Sequence, residues 1–244
     1  MSRFYYELHI HSALSPCSDN DSTPDSIAGM GELNGLNIMA LTDHNSLKNC
    51  PAFFAAAKMH GIIPVAGVEL TTAEDIHAVC LFESLDNAME FDVQLQKRRI
   101  LIKNRSDIFG EQLIFNEFDE IIGYEENLLI NATTVALDEL PDLISHFGGV
   151  CYPAHIDRES NGIISVLGGI PETPDFKFAE LNNREEAEKY SALTGFRREQ
   201  FITSSDAHQL WNIKEKNEYF ELECDCGDEV AVRKQLFNFL RCVP

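Results

Sequence analysis

Six of the eight histidines in this chain stand beside carboxylates or at the ends of apolar runs. In order they are His9 and His11, His44 after Asp43, His77, His155, and His208 after Asp206-Ala207, with Glu69 closing another apolar run. Neutral imidazole and carboxylate together suit zinc, manganese or iron, and several such ions in one place suit hydrolysis. One buried histidine is explained by one hydrogen bond. Six of them with three carboxylates, His9 to His208, need a shared cause.

Spacing supports a shared cause. His9 and His11 are two apart at the end of a strand-like run, so both imidazoles project from one face and can reach one ion. Asp206 and His208 repeat that spacing after Phe201-Ile202-Thr203-Ser204-Ser205. Leu41-Thr42-Asp43-His44-Asn45 follows another strand, Val65-Ala66-Gly67-Val68-Glu69 ends in a carboxylate able to bridge two ions, and Pro153-Ala154-His155 ends a fifth. Asp43 suits a supporting role, orienting an imidazole. His60 and His146 sit at expected helix C-termini, where the last carbonyls and the helix dipole suffice, and are set aside.

The elements that must position these residues alternate. Strands are expected at Phe4–His9, Ile38–Thr42, Ile62–Val68, Ile76–Phe82, Val150–Ala154, Phe178–Leu181, Phe201–Ser204 and Tyr219–Glu223. Helices are expected from Thr23-Pro24-Asp25 to about Leu33, over Pro51–His60, from Ser84 to Gln96, and over Asp138–Phe147, Arg184–Leu193 and Asp228–Leu240. Residues 100–132 are less regular, with a hairpin expected from Gln112–Phe115 and Ile121–Ile122; this stretch reads as an insertion or lid. Alternating strands and helices imply a parallel sheet, and about seven units favour a barrel over an open doubly wound sheet. The strand ends of a barrel converge on one mouth, so ligands scattered along the chain can share a site. No Gly-x-Gly-x-x-Gly follows a strand, which removes the dinucleotide-binding reading.

Composition narrows the partners. The 244 residues include 44 % hydrophobic ones, enough for a full core, and no linker-like stretch, so a single domain over residues 1–244 is expected. There is no signal-like start and no run of about 20 apolar residues, which gives a cytoplasmic expectation without membrane contact. Seven irregularly spaced cysteines read as reduced thiols, including the close pair Cys224 and Cys226. A net charge of −21, from 40 acidic and 19 basic residues, gives the expectation of no direct nucleic-acid binding. It leaves room for a small anionic substrate, because bound cations make a pocket locally positive.

Leu8-His9-Ile10-His11-Ser12, Leu41-Thr42-Asp43-His44-Asn45, Gly67-Val68-Glu69, His77, Pro153-Ala154-His155 and Ser205-Asp206-Ala207-His208 resemble the motifs of the polymerase and histidinol phosphatase (PHP) superfamily. The resemblance covers nearly the whole chain. It implies a distorted seven-stranded β/α barrel of TIM-like type and a centre of two or three divalent ions (Zn, Mn or Fe). By resemblance, His9, His11, Glu69 and Asp206 hold one ion, and Glu69 with His77 and His155 a second. His44 and His208 hold a third with Asp19, for which Asp21 and Cys17 compete.

The implied activity is metal-dependent hydrolysis of a phosphate ester by a metal-bound hydroxide, with Glu69, Asp206 and His208 as catalytic candidates. Arg158, three residues past His155, and Arg105 are the candidate phosphate-binding cations. A nucleotide or sugar phosphate is the leading substrate. A phosphotyrosine-protein phosphatase, an exonuclease and a non-catalytic metal-binding regulatory module are the alternatives.

Overall fold

The computed structural model describes residues 1–224 and 227–242, so Asp225 and Cys226 of the Cys224/Cys226 pair lie outside the described residues. The first half contains β1 (Ser2–Glu7), α1 (Pro24–Leu33), β2 (Ile38–Leu41), α2 (Cys50–Met59), β3 (Ile63–Thr71), β4 (His77–Phe82), α3 (Leu85–Gln96), α4 (Ser106–Phe109), β5 (Leu113–Phe115) and β6 (Ile121–Tyr124). The second half contains α5 (Leu140–His146), β7 (Gly149–Pro153), α6 (Ile163–Leu167), β8 (Ala179–Leu181), α7 (Ala187–Thr194), β9 (Phe201–Thr203), β10 (Tyr219–Leu222) and α8 (Glu229–Arg241).

Local chemistry starts the helices. Thr23 accepts a hydrogen bond from the Ser26 N–H with Pro24 at the first helical position, Ser84 caps α3 through Asn87 N, and Asp228 caps α8 through Ala231 N.

Six strands form one curled α/β sheet in the order β10-β1-β2-β3-β4-β7. Two expectations change here. Pairing gathers six strands rather than seven, because β8 and β9 form their own two-stranded parallel ribbon. Nor is the sheet parallel throughout: β1, β2 and β3 are, while β4 is antiparallel to both β3 and β7, and β10 is antiparallel to β1. Residues 72–76 are too few to carry β3 back for a parallel crossover, so β4 must return beside it.

Both faces of the sheet are buried. Met39, Leu41, Ala66, Val68 and Cys80 pack toward residues of α1, α2 and α3 such as Ile27, Phe53 and Phe91. Phe4, Tyr6, Ile38, Val65 and Tyr152 face Val232, Leu236 and Phe237 of α8. Burying one such side chain stabilises by roughly 1.5–3 kcal/mol. Gly67 is obligatory here: a Cβ on it would lie 2.7 Å from Thr42 Cγ2 and 2.9 Å from Leu81 Cδ2. Its absence lets β2 and β4 close on β3 just before Glu69.

Residues 100–132 do contain a hairpin, β5–β6, and are tied to the loops that follow β1 and β2. Leu113 N–H donates to Ala13 O (2.8 Å), and the Asn45 amide donates to Leu129 O (2.6 Å) and Asn131 O (3.0 Å).

Candidate metal centre

The ends of β1, β2, β3, β7 and β9 point to one mouth, and residues beyond the strands extend the pairing there. Isolated bridges join Ile10 to Ala207 and His44 to Glu69. His77 arrives differently: it opens β4, whose antiparallel course puts its first residue at the mouth.

Glu69 is the centre of the arrangement and is 1 % exposed. Its Oε1 lies 2.8 Å from His77 Nδ1 and 2.9 Å from His155 Nε2. Its Oε2 lies 3.0 Å from His44 Nδ1, 3.3 Å from His11 Nε2 and 3.5 Å from His9 Nε2. Asp206 Oδ1 closes the second group, 3.1 Å from His11 Nε2 and 3.3 Å from His9 Nε2. Three sets of converging donors result: His9, His11, Glu69 and Asp206; His44, Glu69 and His77; His11, His44 and His208.

The hydrogen bonds behind the rings fix which nitrogens are free. His9 Nδ1 faces Glu180 Oε2 at 2.8 Å, and a carboxylate can only accept, so Nδ1 carries a hydrogen and the neutral ring presents its lone pair at Nε2. His11 Nδ1 lies 3.0 Å from Ser15 Oγ, which spends its own hydrogen on Asp43 Oδ1 at 2.7 Å. In the neutral ring His11 Nε2 is therefore also a lone pair, 3.2 Å from that of His9. Two ring nitrogens and two carboxylate oxygens thus face one another in a buried space. Asp206 Oδ1 and His44 Nδ1 make no hydrogen bond. Such a set has the donor chemistry to hold a cation, and divalent ions bound by imidazole and carboxylate fit it.

Protonation of the rings is the chain's own substitute. Burial opposes charging His11, but the Asp206 and Glu69 carboxylates outweigh it and push its pKa up to about 9. Burial likewise opposes a charge on His9, and Glu180, Asp206 and Glu69 raise it well above the usual imidazole value. Burial would lift Glu69, yet the His77, His9 and His44 rings hold it well below the carboxylate range. His208 is depressed to about 4 by burial and by the charge on His11.

Backbone strain accompanies the site. His155 (φ 28°), Asp206 (φ 51°) and Asn45 (φ 46°) are non-glycine residues with positive φ. That conformation costs of order 1–3 kcal/mol and is held only where surroundings over-determine it.

The other expected residues separate. Arg158 reaches the rim, pairing through Nη1 with Asp206 Oδ2 while its side chain stays 43 % exposed. Asp19 lies beside the mouth, its backbone N–H donating to His208 O at 3.1 Å, but its carboxylate is in none of the three donor sets. Arg105 pairs with Asp107 at 2.7 Å on an exposed turn. Asp43 accepts from Ser12 N, Ser12 Oγ and Ser15 Oγ, and so acts on His11 through Ser15. His60 lies between Glu32 and Asp25, away from the cluster.

Glu180 and Ser15 were missed in the sequence. Ser15 gives no local signal. Glu180 does: an acid inside Phe178-Ala179-Glu180-Leu181 is a carboxylate in an apolar strand, and such groups are seldom buried without a partner.

The sequence profile of the PHP domain matches residues 7–195. This chain belongs to the PHP domain family. A 5′-3′ exoribonuclease of Haemophilus influenzae is 31 % identical over 112 residues, covering 44 % of this chain and 39 % of that relative. The chain spans less than two-fifths of the curated relatives it matches. Endonuclease Q of Pyrococcus furiosus, a lesion-specific endonuclease, shares the fold with a TM-score of 0.63 and 16 % identity, over 98 % of this chain and 56 % of that one. A second endonuclease Q structure, with a 27-mer duplex bearing an abasic lesion at its active site, gives a TM-score of 0.62 and 15 % identity over 98 % of this chain and 57 % of that one.

A duplex at the active site of a protein that shares this fold removes the ground for expecting no direct nucleic-acid binding here. Net charge does not decide this point, because −21 is a sum over the whole surface. A phosphodiester responds to the local field of the site, which bound cations can reverse. As for membranes, no helix among the described residues is long and apolar enough to cross one.

Proposed function

We propose that this PHP-family hydrolase cleaves a phosphoester of a nucleic acid or of its terminal nucleotide, with residues 1–244 acting as one unit. The observation that carries the reading is the set of four facing acceptors, His9 Nε2, His11 Nε2, Glu69 Oε2 and Asp206 Oδ1. Their mutual repulsion is relieved by divalent cations. Bound there, such ions supply the Lewis-acid charge and the activation of water that phosphoester hydrolysis needs.

The chain's own residues do the rest. Glu69 offers one oxygen to each side of the cluster and so joins its two halves. His44, His77, His155 and His208 complete the donor sets around it. Arg158 swings from Asp206 to a non-bridging phosphoryl oxygen, where its planar fork matches two acceptors. His208 gives its Nδ1 hydrogen to the Asp206 carbonyl at 2.9 Å, leaving Nε2 as an acceptor at the half-exposed side of the mouth. The exoribonuclease and endonuclease Q relatives support a nucleic-acid substrate.

A second reading, a free nucleotide or sugar phosphate, is favoured by the −21 charge, which would repel a long polyanion outside the site. One experiment separates the two. Metal content is measured by elemental analysis on the sample that is assayed. The panel comprises a 5′-phosphorylated single strand, an abasic duplex, p-nitrophenyl phosphate, and nucleotide and sugar monophosphates. Metal-dependent cleavage of the strands at least tenfold faster than of the monophosphates is the expected result. Faster release from the monophosphates selects the second reading, and metal-independent turnover rejects both.

A further inference from the structure

Glu180 is fully buried, at 0 % exposure, on the β8–β9 ribbon that lies outside the six-stranded sheet. Its oxygens lie 3.1 and 2.8 Å from His9 Nδ1. Oε2 also accepts the His155 backbone N–H at 3.0 Å, and the Glu180 carbonyl accepts from Ile156 N at 2.9 Å. One residue therefore grips the turn that holds His155 at φ 28° and the ring of His9 just beyond β1.

The two contacts serve different sides of the centre. His9 Nε2 faces Glu69 Oε2 and Asp206, whereas His155 Nε2 faces Glu69 Oε1. Among the described residues, the one ion pair Glu180 makes is with His9. A carboxylate buried without a lysine or arginine is costly unless its contacts repay it.

We infer that Glu180 is a positioning residue for metal binding on both sides of Glu69. It holds His9 as the Nδ1–H tautomer, so that Nε2 points into the centre, and it holds the turn that aims His155. A carboxylate behind a ligating imidazole fixes the ring's orientation and raises its basicity. Here the same carboxylate does this for one ligand and fixes the backbone of another. This rests on the reading that the cluster binds divalent ions, and the test reads ion binding directly.

The test titrates metal-free full chain with Zn²⁺ by calorimetry, for wild type, Glu180→Gln and Glu180→Asp, with thermal melting of the metal-free proteins alongside. Glu180→Gln keeps the volume but removes the charge and should weaken zinc binding roughly 10–100-fold in protein that remains folded. Glu180→Asp keeps the charge and should recover part of that loss. A purely structural role would lower the melting temperature and leave the affinity of the folded protein unchanged, which overturns the inference.

Should Glu180→Gln not fold, the wild type decides alone. ¹⁵N-imidazole NMR of the zinc-loaded protein should show His9 protonated at Nδ1, and protonation at Nε2 instead overturns the assignment. Wild type that binds no zinc at all defeats the parent reading of a metal centre, a result distinct from either of these.

Discussion

Glu125 and Glu69 are both buried carboxylates, one in the segment of residues 100–132 and one in the centre of the mouth. Their surroundings differ in kind. Glu125 meets Arg99 at 3.1 Å and the Lys48 ammonium, two permanent cations, and also accepts from Asn127 N at 3.0 Å. Burial would raise its pKa, but Arg99 and Lys48 prevail and bring it down to about 2. Glu69 meets five imidazoles, His9, His11, His44, His77 and His155, whose positive charge depends on picking up protons. The Glu125 cluster is balanced by the chain's own charges and ties residues 100–132 down. Glu69 itself has no lysine or arginine among its described ion pairs, so its charge is balanced by what the imidazoles take from solution. The contrast separates a carboxylate neutralised within the chain from one whose neighbours could hold a cation.

The sharpest way to break this contrast is Glu69→Gln. It should lower kcat/KM by ~10³-fold or more and reduce the metal content of the purified protein. Activity retained at full metal occupancy would remove Glu69 from the centre of the arrangement. Next in size is Arg158→Ala. With the metal content unchanged, kcat/KM for phosphorylated substrates should fall ~10–100-fold, the cost of one or two charge-assisted hydrogen bonds. An unaltered kcat/KM would return Arg158 to a mere partner of Asp206.

Glu125→Gln tests the other side. It should leave metal content and KM alone and cost roughly 2 kcal/mol of stability at pH 7, measured by denaturant unfolding. The pH dependence has a definite sign. Glu125 has a folded pKa depressed from 4.5 to about 2, so its contribution is fully present above 4.5 and is lost as pH falls toward 2. Wild type and variant should therefore converge across that window, and a constant gap would mean that the carboxylate charge is not what stabilises the segment. The smallest effect belongs to Arg105→Ala. Its pair with Asp107 is exposed and screened by solvent, so neither the unfolding midpoint nor KM should move measurably.

Much of the donor set was legible because strand ends announce themselves. His9 and His11 follow an apolar run, as do Asp43-His44, Glu69, His155 and Asp206, and chain polarity carries such residues to one end of a sheet. Helix limits were legible for a similar local reason: Thr23-Pro24-Asp25 and Ser84 start helices by bonding their own next turn. The antiparallel return of β4 was less visible, because short connections reveal direction only once the partner strand is known. The separation of β8–β9 from the main sheet left no mark in the sequence at all.

Residue type and spacing by themselves thus determined the chemistry available to this protein: imidazoles and carboxylates able to hold divalent ions. The tertiary structure decided which of them meet. It brought Glu180 of β8 behind His9, 171 positions away in sequence, and set Ser15 between His11 and Asp43. It also turned Arg105 outward to Asp107 while drawing Arg158 to Asp206. The physical reason is range. Propensity, capping and periodicity act over a few residues, whereas a hydrogen bond behind a metal ligand is made by whichever strand the packing of distant apolar faces happens to deliver.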